Sequence, residues 1–266
     1  MVLSSFSMLI IEGALFAIGA GLVYGIFGGG SGLFLMPGFY VLLRHFPVAD
    51  GQAMQIAITT TAATSAVLGI FAIRVQAKMQ HIDFKIVKKL VLGVLTGTIL
   101  AVLLLNVLPS GLLKHLFGIV VILVAVWLWL YNQAKDKRIW PLTGIRNYIM
   151  TTLIGLLWFL LGVAVFTVPY LQKCGVSMRR AVGAATVVST LFSAIAALLL
   201  MWTGMMHLGS SSQHIGFLNL PLFFIAIVPS AIAAFVGAKI SVKLPQHHLK
   251  KIYALLIFII GFLMLI

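Results

Sequence analysis

A run of glycines is set into apolar sequence: Phe27-Gly28-Gly29-Gly30-Ser31-Gly32-Leu33-Phe34-Leu35-Met36-Pro37. Glycine-rich backbone makes a poor helix and ordinarily marks a surface turn. The flanks here are too apolar for that, because the stretch 8–43 is the first of eight apolar segments. The others are roughly 52–73, 86–108, 112–131, 147–172, 181–203, 217–243 and 249–266. Most approach the ~20 residues that carry a helix across the hydrocarbon core. With 62% hydrophobic residues, 8% charged residues and a mean hydropathy of +1.18, the chain is no soluble domain. It reads as an all-α polytopic membrane protein. Backbone that unwinds at membrane depth is tolerated only where protein or a water-filled cavity satisfies its N–H and C=O groups. The glycine run is therefore expected to be a broken helix lining a transport path, against the plainer reading that it lets helices pack closely.

The net charge of +14, from 18 basic and 4 acidic residues, would suggest nucleic acid in a soluble protein. Here the basic residues gather between apolar segments, as the positive-inside bias produces, and no compact basic domain exists to hold nucleic acid. No basic n-region or cleavage site opens the chain, so no signal peptide is expected. Cys174 is the sole cysteine, which rules out an intramolecular disulfide and a cysteine-based metal site. No nucleophile–base–acid pattern is visible, so no enzyme is expected, and no cofactor or metal is called for.

The chain repeats itself. Residues 1–131 form a first repeat, the basic stretch 132–146 a connecting loop, and 147–266 a second repeat, all within one membrane domain. Leu108-Pro109-x-x-x-Leu113-Lys114 matches Leu244-Pro245-x-x-x-Leu249-Lys250, and Asp83-Phe84 falls on Asn219-Leu220. Gly30 pairs with Gly162, Pro37 with Pro169 and Ala53 with Ala181. Such duplication is the common ground plan of secondary transporters. Loop charge bears on the topology. If all eight segments cross once, lysines and arginines divide evenly. If the first and fifth enter and return as hairpins, sixteen of the 18 fall on one side and two on the other. The second arrangement gives each half three crossings plus one broken, re-entrant Gly-Pro segment. Two inverted repeats follow, with basic loops cytoplasmic and both termini on the far side. Pro37, Gly162 and Pro169 are the expected structural breaks.

The second segment carries Gln55, Thr59, Thr61 and Ser65 at helical spacing, and the sixth carries Thr186, Ser189 and Ser193. The repeat places Thr61 on Ser189 and Ser65 on Ser193. Matched hydroxyl stripes beside matched breaks point to a shared cavity, against ordinary bonding to helix carbonyls. The glycine break suits an anion: Gly28, Gly29, Gly30, Ser31 and Gly32 would offer free N–H groups and the positive end of the next helix. Ser31 stands at its expected N-cap. Only Glu12 among the acidic residues lies within an apolar stretch, which makes it the candidate for proton coupling.

The run Gly21-Leu-Val-Tyr-Gly25-Ile-Phe-Gly28-Gly29-Gly30-Ser-Gly-Leu-Phe-Leu-Met-Pro37 resembles the signature of the sulfite exporter TauE/SafE family of membrane permeases. The helix after Ala53, the second copy at Arg180-Ala181-Val182-Gly183 and the repeated Leu-Pro…Leu-Lys element resemble that family too, over nearly the whole chain. The resemblance implies a multi-pass transporter of a bacterial-type inner membrane that exports sulfite, a sulfonate or a related small organic anion. The family's second triple glycine is absent: the equivalent stretch, from Trp158 to Pro169, keeps only Gly162 and the proline. Trp158 and Phe166 there are candidates to narrow the cavity.

The expected function is a secondary transporter exporting a small anion by alternating access, in a lipid bilayer. The alternatives are an anion channel of the same fold, or a scaffold or accessory subunit that moves nothing. The oligomeric state is not legible.

Overall fold

The computed structural model describes residues 2–43, 51–130, 140–157, 164–240, 255 and 258–265. Gly162, Trp158 and the Leu244-Pro245 element lie outside these residues. Among the described residues nine helices run in order: α1 (Val2–Phe27), α2 (Gly32–Leu42), α3 (Ala53–Lys78), α4 (Phe84–Val107), α5 (Ser110–Leu130), α6 (Gly144–Leu156), α7 (Ala164–Lys173), α8 (Met178–Leu208) and α9 (Leu220–Ile240). Residues 258–265 add a C-terminal helical stretch. A two-residue hairpin, β1 (His214–Ile215) against β2 (Leu218–Asn219), joins α8 to α9. Among the described residues six stretches are long and apolar enough to span a membrane: Ile10–Phe27, Ala53–Lys78, Phe84–Val107, Ser110–Trp127, Met178–Leu208 and Leu220–Ile240. The chain is an all-α, integral, multi-pass membrane protein. Large apolar side chains such as Leu103, Leu198 and Phe224 are exposed, as a lipid-facing surface requires.

The first apolar segment is two helices, not one. Gly28 at φ +77° and Gly30 at φ +86° take left-handed backbone that residues with a Cβ rarely adopt. Phe16 of α1 lies against Gly38 of α2, Gly19 against Phe34, and Gly13 against Leu42. The helices are therefore antiparallel, and the segment doubles back at Gly28–Ser31. With 11 residues, α2 is about 16 Å long, half the thickness of a hydrocarbon core. The α6–α7 stretch also returns toward its starting level, because the Trp140 amide donates to the Lys173 carbonyl at 3.0 Å. Pro37 and Pro169 do not interrupt their segments as expected. Each lies inside a helix, α2 and α7 respectively. The break comes at the glycines, where φ is positive, while proline's fixed φ is itself helical and costs one donor.

Small residues bring the helices together. A Cβ at Gly21 or Gly25 of α1 would strike the Ser230 or Ala234 carbonyl of α9, and α1 and α9 run parallel. Gly93 and Gly97 of α4 meet Thr151 and Thr152 of α6 in the same way, and Gly155 meets Val94. These are small-residue crossings of the kind that drive packing in lipid, where burial of apolar surface drives little. At the centre α3 and α8 run antiparallel, with Gly69 against Thr190 and Gly183 against His81. The repeat alignment equates α1 with α6, α3 with α8, and α4 with α9. Under it the α1–α9 contact exchanges with the α6–α4 contact. The aligned pair Asp83 and Asn219 also share a task. Asp83 Oδ1 accepts from the Lys85 amide and Asn219 Oδ1 from the Leu222 amide, each at 3.0 Å, at the starts of α4 and α9.

Candidate functional site

Halfway along α3 and α8, the start of α2 closes a small cavity. Gly30, Ser31, Gly32 and Met36 line it from the first hairpin, Ile58, Thr61, Ala62 and Ser65 from α3, and Ser189 and Ser193 from α8. About 20 Å³ is open to the centres of water-sized molecules, room for roughly one such group. Among the described residues, no charged residue lines it. Its polar wall is made of hydroxyls and backbone.

Three features give the wall an excess of hydrogen-bond donors. Among the described residues, the amides of Gly30, Ser31 and Gly32 find no acceptor, because α2 begins here and the preceding turn is left-handed. The positive end of the α2 dipole lies at the same place. The Thr61 hydroxyl is buried, the residue being 7% exposed, and finds no partner among the described residues. Ser31 and Ser65 meanwhile satisfy each other, Oγ to Oγ at 2.6 Å.

The expected N-cap role of Ser31 does not hold. Ser31 is itself helical, at φ −57° and ψ −27°, and its side chain makes no cap bond. An N-cap hydroxyl needs extended backbone to reach the N–H groups that follow it. Here the hydroxyl crosses to α3 instead, while the Ser31 carbonyl accepts the Leu35 amide at 2.9 Å.

The expected site residues divide. Gly30, Ser31, Gly32, Thr61, Ser65, Ser189 and Ser193 come together at the cavity. Gly28 sits beside it, packed on α8, and a Cβ there would fall on the Thr186 hydroxyl and the Val182 carbonyl. Gly29 is buried in the turn but is not among the lining residues. Thr59 and Thr186 bond back to the Gln55 and Val182 carbonyls, each at 2.8 Å. Gln55 lies near the start of α3, where its amide donates to the Leu108 carbonyl at 3.0 Å. Glu12 is exposed on α1 and Phe166 half-buried on α7, and neither lines the cavity.

Sequence reasoning missed Met36, Ile58 and Ala62. Ile58 and Ala62 were within reach of it, since 58, 61, 62 and 65 recur as one helical stripe. It also missed Tyr24, fully buried, whose hydroxyl pairs with the Thr190 hydroxyl at 2.9 Å and so ties the end of α1 to α8.

The basic ends of the helices form a separate surface. Arg180 approaches Asp83 at 3.9 Å. The Arg146 guanidinium lies 3.9 Å from the centre of the Trp140 ring, and the Lys173 ammonium 4.9 Å from it. In the α3–α4 loop, burial and then the Arg179 charge hold the His81 imidazole below its ordinary range. His81 Nδ1 pairs with Gln76 Oε1 at 2.9 Å.

Comparison with known proteins agrees with this architecture. A probable membrane transporter protein of Haemophilus influenzae is 24% identical over 244 residues, which cover 91% of this chain and 92% of the relative. A probable membrane transporter protein of Methanocaldococcus jannaschii is 24% identical over 256 residues, covering 92% and 91%. No solved structure matches the chain significantly. The family model described as sulfite exporter TauE/SafE matches residues 13–264. The chain belongs to the sulfite exporter TauE/SafE family and is a membrane transporter.

Proposed function

We propose that the chain is a secondary transporter that exports a small anion, a sulfur oxyanion such as sulfite or an organosulfonate, by alternating access through the α2–α3–α8 cavity. One observation carries this reading. At mid-helix depth a neutral wall presents free amides, an unpartnered Thr61 hydroxyl and four serine hydroxyls, with no acidic group among them. Donors without a formal charge hold an oxyanion at a helix start while leaving it free to depart. Backbone N–H groups of Gly30–Gly32 would hold the oxygens, and Thr61, Ser65, Ser189 and Ser193 would complete the shell. An oxyanion is larger than the room for one water-sized group, so the described state is read as closed. Admission requires α2 to move from α3, exchanging the Ser31–Ser65 bond for bonds to the anion. The two halves are proposed as inverted repeats. The antiparallel run of α3 and α8 and the exchange of the α1–α9 and α4–α6 contacts support this. The membrane potential alone favours anion exit from a negative interior by ~2.3 kcal/mol per charge per 100 mV.

Purified protein in liposomes tests the proposal, with labelled sulfite, sulfate, alkylsulfonates and short carboxylates, with and without a pH gradient. Saturable flux of a sulfur oxyanion or sulfonate is the expected result. No flux of any anion from folded protein would overturn it in favour of the accessory-subunit alternative.

A further inference from the structure

Two cations converge on one indole ring at the basic face. The Arg146 guanidinium lies 3.9 Å from the centre of the Trp140 ring, and the Lys173 ammonium 4.9 Å from it. They come from different elements: Arg146 from the first turn of α6, Lys173 from the last turn of α7. The Trp140 amide donates to the Lys173 carbonyl at 3.0 Å, which fixes the ring at the foot of both helices. Asn147, next to Arg146, donates to the Lys89 carbonyl at 2.8 Å and so brings the basic start of α4 alongside. Like charges gathered in this way repel each other, and an exposed cation–ring contact returns only about 0.5–1 kcal/mol.

The surroundings leave the charge in surplus. The acids among the described residues are Glu12 and Asp83; Asp83 faces Arg180 at 3.9 Å, and neither pairs with Arg146. The stretch 132–146 carries Lys135, Lys137, Arg138 and Arg146 against one acid, Asp136, so the balance is positive whatever Asp136 faces. The end of α6 here is its positive one, and Thr143 at its N-cap makes no side-chain cap bond. The end of α7 is its negative one, but its last four carbonyls are taken. Those of Tyr170 and Leu171 accept the Cys174 amide, that of Gln172 the Gly175 amide, and that of Lys173 the Trp140 amide. Apolar surface adjoins the cluster. Ile145 and Ile149, one turn apart on α6 on either side of Arg146, are 75% and 49% exposed.

We infer that Arg146 and Lys173, held on Trp140, form a site for the phosphate of an anionic membrane lipid. The guanidinium fork takes phosphate oxygens two at a time, and the ammonium adds a compact point charge. A tryptophan suits the headgroup level, where its ring is half in lipid and half in water. Basic clusters between membrane helices bind acidic headgroups in this way. The two isoleucines favour a lipid over a free phosphate, because only a lipid brings acyl chains to cover them. A zwitterionic lipid carries a cation of its own, which the cluster repels. The bound phosphate bridges the start of α6 to the end of α7 and clamps the base of that stretch.

None of these residues lines the α2–α3–α8 cavity, so the site is independent of the anion reading and its test uses no flux. Melting of the detergent-solubilised protein is followed with added phosphatidylglycerol, with phosphatidylcholine of the same acyl chains, and with sodium phosphate, at equal ionic strength. The expected result is a saturable rise in melting temperature with phosphatidylglycerol, at least twice that with phosphatidylcholine, and no saturable rise with phosphate. Arg146→Gln and Lys173→Gln should each reduce the increment at least twofold. Lys239→Gln, which removes one charge from the end of α9, should keep it whole. Arg146 and Lys239 are both exposed, so that pair decides the matter even if Lys173→Gln does not fold. Equal rises with the two lipids, the same rise with free phosphate, or an equal loss in Lys239→Gln and Arg146→Gln would overturn the assignment.

Discussion

Thr61→Val separates a hydroxyl kept for a ligand from one kept for the fold. The side chains are nearly the same size, and the change removes only the O–H. In most buried positions that costs stability, because a partner loses its bond. Thr61 has no partner among the described residues and is 7% exposed. Removing an unsatisfied buried polar group recovers its desolvation penalty, about 1–3 kcal/mol. For a chain of this size that corresponds to a rise of roughly 2–4 °C in melting temperature per kcal/mol. The hydroxyl's bond to an anion would be worth about 1.5–3 kcal/mol, so KM should rise roughly 10- to 150-fold. Thermal melting and proteoliposome flux, measured on one preparation, read both effects. Thr64→Val is the control, because the Thr64 hydroxyl is already bonded to the Thr60 carbonyl at 2.8 Å. It should leave KM unchanged. A Thr61→Val protein that melts lower and transports with unchanged KM would refute the reasoning, since the hydroxyl would then be structural.

Gly30→Ala places a Cβ at φ +86°, a strain of about 1–2 kcal/mol, and should cut flux sharply while helical content persists in circular dichroism. Asp83→Ala should cost about 1 kcal/mol through loss of the α4 cap, whereas Asp83→Asn, which copies Asn219, should melt like the parent. Arg180→Ala should change melting little, because the guanidinium is 65% exposed and 3.9 Å from Asp83. His81 is held below its ordinary range by burial and Arg179, so the unfolded chain takes up this proton first as pH falls. Its contribution is intact above about pH 6.5 and is lost below that as the unfolded form protonates. Melting should fall from pH 7 to pH 5, and less steeply in His81→Gln.

Six of the eight expected apolar segments and the glycine break were legible because membrane span length and positive-φ glycine leave strong marks in sequence. The convergence of Thr61, Ser65, Ser189 and Ser193 was legible because each pair is four residues apart on one helix. Gln55 and Thr59 were grouped with Thr61 too readily. Six residues turn a helix by a net of about 120°, so Gln55 and Thr61 face different neighbours. The Ser31 hydroxyl was misjudged because a cap depends on the residue's own φ and ψ, which sequence does not state. Pro37 looked like a break because proline breaks helix interiors, yet α2 continues through it. The small-residue crossings at Gly21, Gly25, Gly93 and Gly97 need the partner helix to be known, and spacing along one helix does not supply it.

Whether the cavity is the transport path is tested most directly by Ser193→Cys in a Cys174→Ser background. A membrane-impermeant thiol reagent is applied to each face of sealed vesicles, with and without a saturating transported anion. The expected result is labelling from both faces, abolished by the anion. Labelling from one face alone, or labelling that the anion does not slow, would contradict alternating access through this cavity.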